Sequence, residues 1–497
     1  MESRTPTLAP AEAWQPLPAR DWTPEAARHL LRRTGFSARP ELVAQAAAAA
    51  LPEVVAHLFT PSPPLPEPFA LRKLAEEFRA FEAEGRPDSE AERRRRRREF
   101  QDKARAAFED FGIAWLQRAA DPKYSAYEKF VLFLQDIFVV AFQKVKNPVL
   151  LHAHQQLLRE HGTAAYPELC KRVSRSPAMV QYLDLQQSRV EHPNENFARE
   201  LLELFTLGEG NYSEDDIKEA ARAFTGYRQR GGEFAFVRRQ HDTGRKTIFG
   251  RTGAFDGDGV IDLIFDQPAA GRFLPRELVR FYLTDRPLPD EHLEAFAAQW
   301  RRDDYDTGKL LRRFFTSRLF FDPAFRGAMI KSPIHYYLGL VQDLDLDVAP
   351  FPRLTLSALR QMGQTFFNPP NVRGWVGGRT WINSTTLAAR RQLVEWLFTP
   401  LDESKLNGDE MVELVAARAD GHARFNVEDA TLDSLRAMEP EVAAQTVIDR
   451  GFGAAPPAEL RAAMAEQFAE AFRGGAGNER ARALLGALLL SPHYQLC

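Results

Sequence analysis

The sequence predicts a mainly α fold, a large multi-helix body with one small β-hairpin around residues 233–250. Three observations predict it. Ala, Leu, Glu and Arg dominate the chain, and these residues enter helices at little conformational cost. Apolar residues recur at helical spacing in segment after segment. Only 233–250 shows the alternation of a half-buried strand, followed by a turn.

The elements follow in order. Thr23-Pro24-Glu25 places a capping hydroxyl before a proline suited to a first helical turn. Pro61-Ser62-Pro63-Pro64-Leu65-Pro66 reads as a stiff linker. Phe100, Phe108, Phe111 and Trp115 mark one helix, Leu201, Leu204 and Phe205 a second, and Ile217, Ala221 and Phe224 a third. Ser213-Glu214-Asp215-Asp216 opens the third as a capping box. Within 233–250, Phe234, Phe236 and Arg238 alternate, Asp242-Thr243-Gly244 turns the chain, and Lys246-Thr247-Ile248-Phe249 returns as the partner strand. Asp256-Gly257-Asp258-Gly259 lacks the acidic residues of a calcium loop and reads as a turn, with Asp258 capping the next helix. The polar stretch 401–409 separates a C-terminal bundle. The expected division is an N-terminal helical segment (1–60), a main helical body carrying the polar centre (68–400), and a helical bundle packed on it (410–497).

Composition narrows the function. An apolar share of 44% supports a substantial core, and a net charge of -3 is too small to steer the whole molecule to nucleic acid or an anionic membrane. Two cysteines, Cys170 and Cys497, exclude a disulfide framework. With no export signal or spanning segment recognisable, the expected location is cytoplasmic. The six arginines at 93–98 sit between Glu90, Glu92 and Glu99 with Asp102 following, so they are expected to form a solvated helix face rather than a polyanion site.

Three constellations carry polar chemistry. In the first, Asn194 caps a helix on which Glu195, Arg199 and Glu203 form an i, i+4, i+8 stripe. This is either an ion-pair ladder or a ligand site, because perturbed carboxylates occur in both. The second is His241-Asp242-Thr243-Gly244-Arg245-Lys246, either an ordinary turn or a base with orienting groups. The third is the loop 368–383, where prolines and glycines preclude a regular helix around Arg373, Trp375, Arg379 and Trp381. Such a loop either lines a pocket or plugs a bundle end. There is no P-loop, dinucleotide fingerprint, Gly-x-Ser-x-Gly elbow or zinc-type spacing.

With these residues in view, the chain resembles the bacterial family catalogued as domain of unknown function 1800. The resemblance begins at Ala27-Arg28-His29-Leu30-Leu31-Arg32-Arg33-Thr34-Gly35-Phe36 and is strongest over 193–214. It continues through Ala223-Phe224-Thr225-Gly226-Tyr227, His241-Asp242, Lys246-Thr247, Pro369-Pro370-Asn371-Val372 and Gly374-Trp375 to Ser491-Pro492. It strengthens the location of the site and adds no reaction. One departure matters: where the family typically carries Trp-His-x-His-Phe, this chain reads Leu134-Gln135-Asp136-Ile137-Phe138. If those histidines are metal ligands or bases, the resemblance implies that this chain has lost part of that chemistry, with Gln135 and Asp136 as weaker substitute oxygen ligands. The resemblance also implies that many relatives are exported.

The leading expectation is a hydrolase-type enzyme with a polar, metal-assisted or metal-free site for an anionic or polyhydroxylated small substrate. His241, Asp242 and Glu195 are the expected catalytic residues, and Arg199, Lys246, Asn194, Glu203, Arg373 and Trp375 the expected substrate contacts. The helix from Asn194 and the turn at 241–246 are expected to meet in one site. The rival expectation is a non-catalytic scaffold in which the same residues form a buried polar network. Neither a membrane nor nucleic acid is expected as partner. The sequence leaves metal, cofactor and oligomeric state open.

Overall fold

A computed structural model describes residues 6–84, 89–472 and 478–497. The fold is mainly α, 63% helical, with two antiparallel two-stranded sheets among the described residues. One hydrophobic cluster extends from Ala13 to Tyr494, so the first and last helices share a core with the middle of the chain. No described helix is long and apolar enough to cross a membrane. Cys170 and Cys497 are free and buried.

The centre of this core is the Ser125–Ile137 helix, every residue of which is buried. Its charged residues therefore need partners. Glu128 is fully buried and takes two bonds from the Arg159 guanidinium, at 2.9 and 2.7 Å, plus one each from Ser62 and Trp115. Ser62 and Leu65 are buried too, so the proline-rich 61–66 stretch lies pinned across the body rather than acting as a free linker.

Local signals are realised closely. Thr23 accepts from the Ala26 N–H, and Ser213 and Asp216 form the reciprocal capping box. At the helix Gly257–Phe265 the cap is Asp256, which accepts from Gly259; Asp258 instead pairs with Arg175. Arg94, Arg95 and Arg96 pair with glutamates one turn away on the helix Glu90–Ala120, and Arg97 and Arg98 are exposed. The Arg93 side chain lies outside the described residues.

The β segment is present but pairs differently. Strand β1 (Tyr227–Arg230) pairs with β2 (Glu233–Phe236), and β3 (Lys246–Ile248) pairs with β4 (Arg251–Gly253). The two expected partners thus belong to separate hairpins. The cause lies in two-residue loops. Gly231 and Gly232 both have positive φ, as do Phe249 and Gly250, the geometry that closes a tight hairpin. Asp242-Thr243-Gly244 does form a turn, with the Asp242 carboxylate accepting from the Gly244 N–H.

Candidate active site

The helix after Asn194 does not continue as a regular α-helix. Asn194 accepts from the Asn196 N–H, the segment Asn196–Glu200 is α-helical, and Leu201–Thr206 is a π-turn in which the Leu207 N–H reaches the Leu202 carbonyl. Such turns shift the angular position of later side chains and recur at functional sites. Here the expected stripe breaks. Arg199 pairs with Glu195 at 3.3 Å and with Glu214 at 2.8 Å on the solvent-facing side. Glu203 turns instead to the Tyr212 hydroxyl at 2.6 Å and to Arg373 at 2.7 Å.

The turn at 241–246 forms a third, separate network. Arg222 donates to Asp242 at 2.7 Å and holds its carboxyl below the usual carboxylate range. Lys246 is buried and donates to the carbonyls of Asp242 and Gly244. His241 Nδ1 sits 3.0 Å from the Thr225 carbonyl. Among the described residues no hydrogen bond or ion pair joins Glu195 or Arg199 to His241, Asp242 or Lys246, so the expected shared site does not form. The helix Glu214–Ala223 stands between them and satisfies each group from opposite ends, through Glu214 and Arg222. A carboxylate this firmly paired is a poor proton acceptor at neutral pH.

A cleft lies elsewhere, between the π-turn, the helix Ala270–Tyr282, the end of the Ser125–Ile137 helix and the long loop. It has two chambers of about 430 and 440 Å³, and Asp136, Arg280 and Arg373 line both. The outer chamber is charged, with Glu203, Glu209, Arg276 and Glu277 on its wall beside Leu204, Phe273 and Val372. The inner one has aromatic walls from Phe36, Phe281, Trp375 and Trp381, and Lys129 and His335 in its lining.

Asp136 sits where the chambers meet. One of its oxygens accepts from the Trp375 N–H at 2.8 Å, and the other lies 3.3 Å from Arg280, which Glu277 also holds at 2.8 Å. Burial pushes the Asp136 carboxyl up to about 6, against the opposing pull of Arg280. This is a carboxylate that is ionised at pH 7 yet basic enough to take a proton.

The loop 368–383 is the cleft wall. Arg373 ties it to Glu203 and Glu209, and the Val376 carbonyl accepts from Arg280. Gly374 is required for the closest approach. Its φ is +75°, and a Cβ there would come within 2.2 Å of an Asp136 carboxylate oxygen. Gly374→Ala is therefore expected to destabilise the protein by about 1–3 kcal/mol through backbone strain. It should also release the loop, seen as faster proteolysis between 372 and 380; unchanged proteolysis would show that the wall does not depend on this approach.

Of the expected site residues, Glu203, Arg373 and Trp375 reach the cleft. Asn194, Glu195 and Arg199 lie on the surface beside it, and His241, Asp242 and Lys246 form their own turn. Sequence reasoning missed Lys129, Glu277, Arg280 and His335, which sit in helices with no local signal of function. Asp136 had only an indirect signal, since it lies between Gln135 and Ile137, the positions where the family's two histidines stand. Gln135 is buried, and its Nε2 has no hydrogen-bond partner among the described residues. No group of three or more His, Cys, Asp or Glu side chains among the described residues is placed to hold a metal ion.

The helical body with a two-chamber cleft, one chamber charged and the other aromatic, defines the class: a mainly α protein with a buried, basic carboxylate where the chambers meet. The chain belongs to the family described as protein of unknown function (DUF1800), whose model matches residues 29–496. No curated protein and no solved structure matches it.

Proposed function

We propose that the protein is a hydrolase-type enzyme acting on a small anionic substrate, with Asp136 as general base. The observation that carries this reading is the placement of Asp136, buried, raised to about 6 and facing two chambers. Asp136 takes a proton from water in the outer chamber as the water oxygen attacks the substrate carbonyl. The Arg280 and Arg373 guanidiniums attract the charge that develops on the carbonyl oxygen. Collapse expels the leaving group, which receives the proton. Glu277 orients Arg280, and Trp375 holds Asp136 through its backbone N–H.

The rival reading, a structural polar network, is favoured by that same Trp375 bond, which anchors the loop. A panel of p-nitrophenyl esters and anilides bearing a carboxylate separates the two. Turnover is expected, with kcat/KM rising tenfold per pH unit up to about pH 6 and level above it, because the base works only when ionised. No turnover across the panel, or an acid limb near pH 4, would sink the reading.

A further inference from the structure

Lys129, Leu132 and Asp136 fall at i, i+3 and i+7 on the Ser125–Ile137 helix, and all three line the inner chamber. One helix face thus presents a cation, an apolar patch and the proposed base in a row, about 10 Å from first to last at 1.5 Å per residue.

The Lys129 end is built from buried polar groups. Lys129 is 6% exposed and His335 4%. The Lys129 Nζ donates to the Gly35 carbonyl at 2.7 Å and lies 3.3 Å from His335 Nδ1. An ammonium has three protons, so one remains. With Nδ1 accepting, the His335 proton sits on Nε2, a buried atom with no partner among the described residues. Burial lowers the His335 pKa well below its ordinary value, so the ring is neutral and keeps this one donor. A buried donor without an acceptor is costly, and a ligand oxygen would satisfy it. Arg33 also lines the chamber, adding positive charge at this end.

We infer that the inner chamber binds a carboxylic acid with an apolar or aromatic body, its carboxylate on Lys129 and His335 and its far end at Asp136. The carboxylate accepts from Lys129 Nζ and from His335 Nε2. Phe36, Leu132, Phe281 and Trp375 enclose the body. The two residues lie two helical turns apart along one face, so an acid bound at Lys129 extends its body along that face toward Asp136. This names the substrate class for the hydrolase reading and rests on that reading only for the chemistry, not for the binding.

The test is calorimetric titration of the full chain with 4-phenylbutanoate and with its neutral isostere 4-phenylbutanamide. The acid is expected to bind at least tenfold tighter than the amide. Lys129→Met should abolish that preference, and Asp136→Asn should retain it. Equal binding of acid and amide, or unchanged acid binding by the lysine variant, would overturn the inference. Should that variant fail to fold, the wild-type protein gives the answer through pH. Burial lowers Lys129 to about 7, with Arg33 and Lys331 pushing the same way and Cys497 opposing; His335, Tyr282, Asp136, Asp285, Arg280 and Arg373 are the other ionisable groups around it or the chamber. Acid affinity should then fall at least fivefold from pH 6 to pH 9 while amide affinity stays level, and a flat acid profile would overturn the inference. Acid binding without any turnover would leave this site standing and remove the hydrolase reading alone.

Discussion

Asp136→Asn is expected to lower kcat/KM by about 10²–10⁴-fold, the usual contribution of a positioned general base. Asparagine keeps the shape and can still accept the Trp375 N–H through its carbonyl oxygen. The loop should stay in place, so the loss reports chemistry. Stability supplies a control with the opposite sign. The folded-state pKa of Asp136 is raised from 3.8 to about 6, so between those values the native state holds more protons than the unfolded one. Stability therefore declines as pH rises through this window, and the ionised carboxylate burdens the fold at pH 7. The amide removes that burden, and Tm should not fall. A protein that loses activity and keeps or gains Tm confirms the base. A marked drop in Tm with unchanged turnover would instead make Asp136 an anchor for the loop.

Arg159→Met is expected to destabilise the fold by about 3–5 kcal/mol, because it strands a carboxylate in the core. Glu128 would keep its Ser62 and Trp115 bonds but lose both guanidinium contacts. The Gln156 side chain would also lose the Arg159 donor at 2.7 Å. Pairing the change with Glu128→Gln removes the stranded charge, and the double variant should recover part of the loss. Urea unfolding of the four proteins gives the coupling directly. Equal stability of the single variant and wild type would mean that water reaches Glu128 in place of the arginine.

The helices were legible because their signals are local. The Thr23 cap, the Ser213–Asp216 box and the helical spacing around Trp115 depend on residues within a turn or two. The hairpins were half legible. The alternation at 234–236 marked a strand, but its partner was decided by Gly231-Gly232, a closer and tighter turn than Asp242-Thr243-Gly244. The site was hardest. Glu195, Arg199 and Glu203 share a stripe only if the helix stays α, and the π-turn that redirects Glu203 has no plain residue signature. Arg280 reaches Asp136 across 144 residues of chain, and Trp375 across 239. Spacing rules do not see such pairs. Density of polar residues pointed to the turn at 241–246, where each group already has a neighbour to satisfy it. The burial that raises the Asp136 carboxyl, and that leaves His335 Nε2 without a partner among the described residues, exists only after folding.

The meeting of two chambers at one carboxylate has a consequence for traffic. A ligand filling the aromatic chamber covers one side of Asp136 and leaves the other facing the outer recess. Under the proposed hydrolase reading, the attacking water and the organic molecule then occupy opposite sides of one carboxylate. Neither then has to displace the other to reach Asp136.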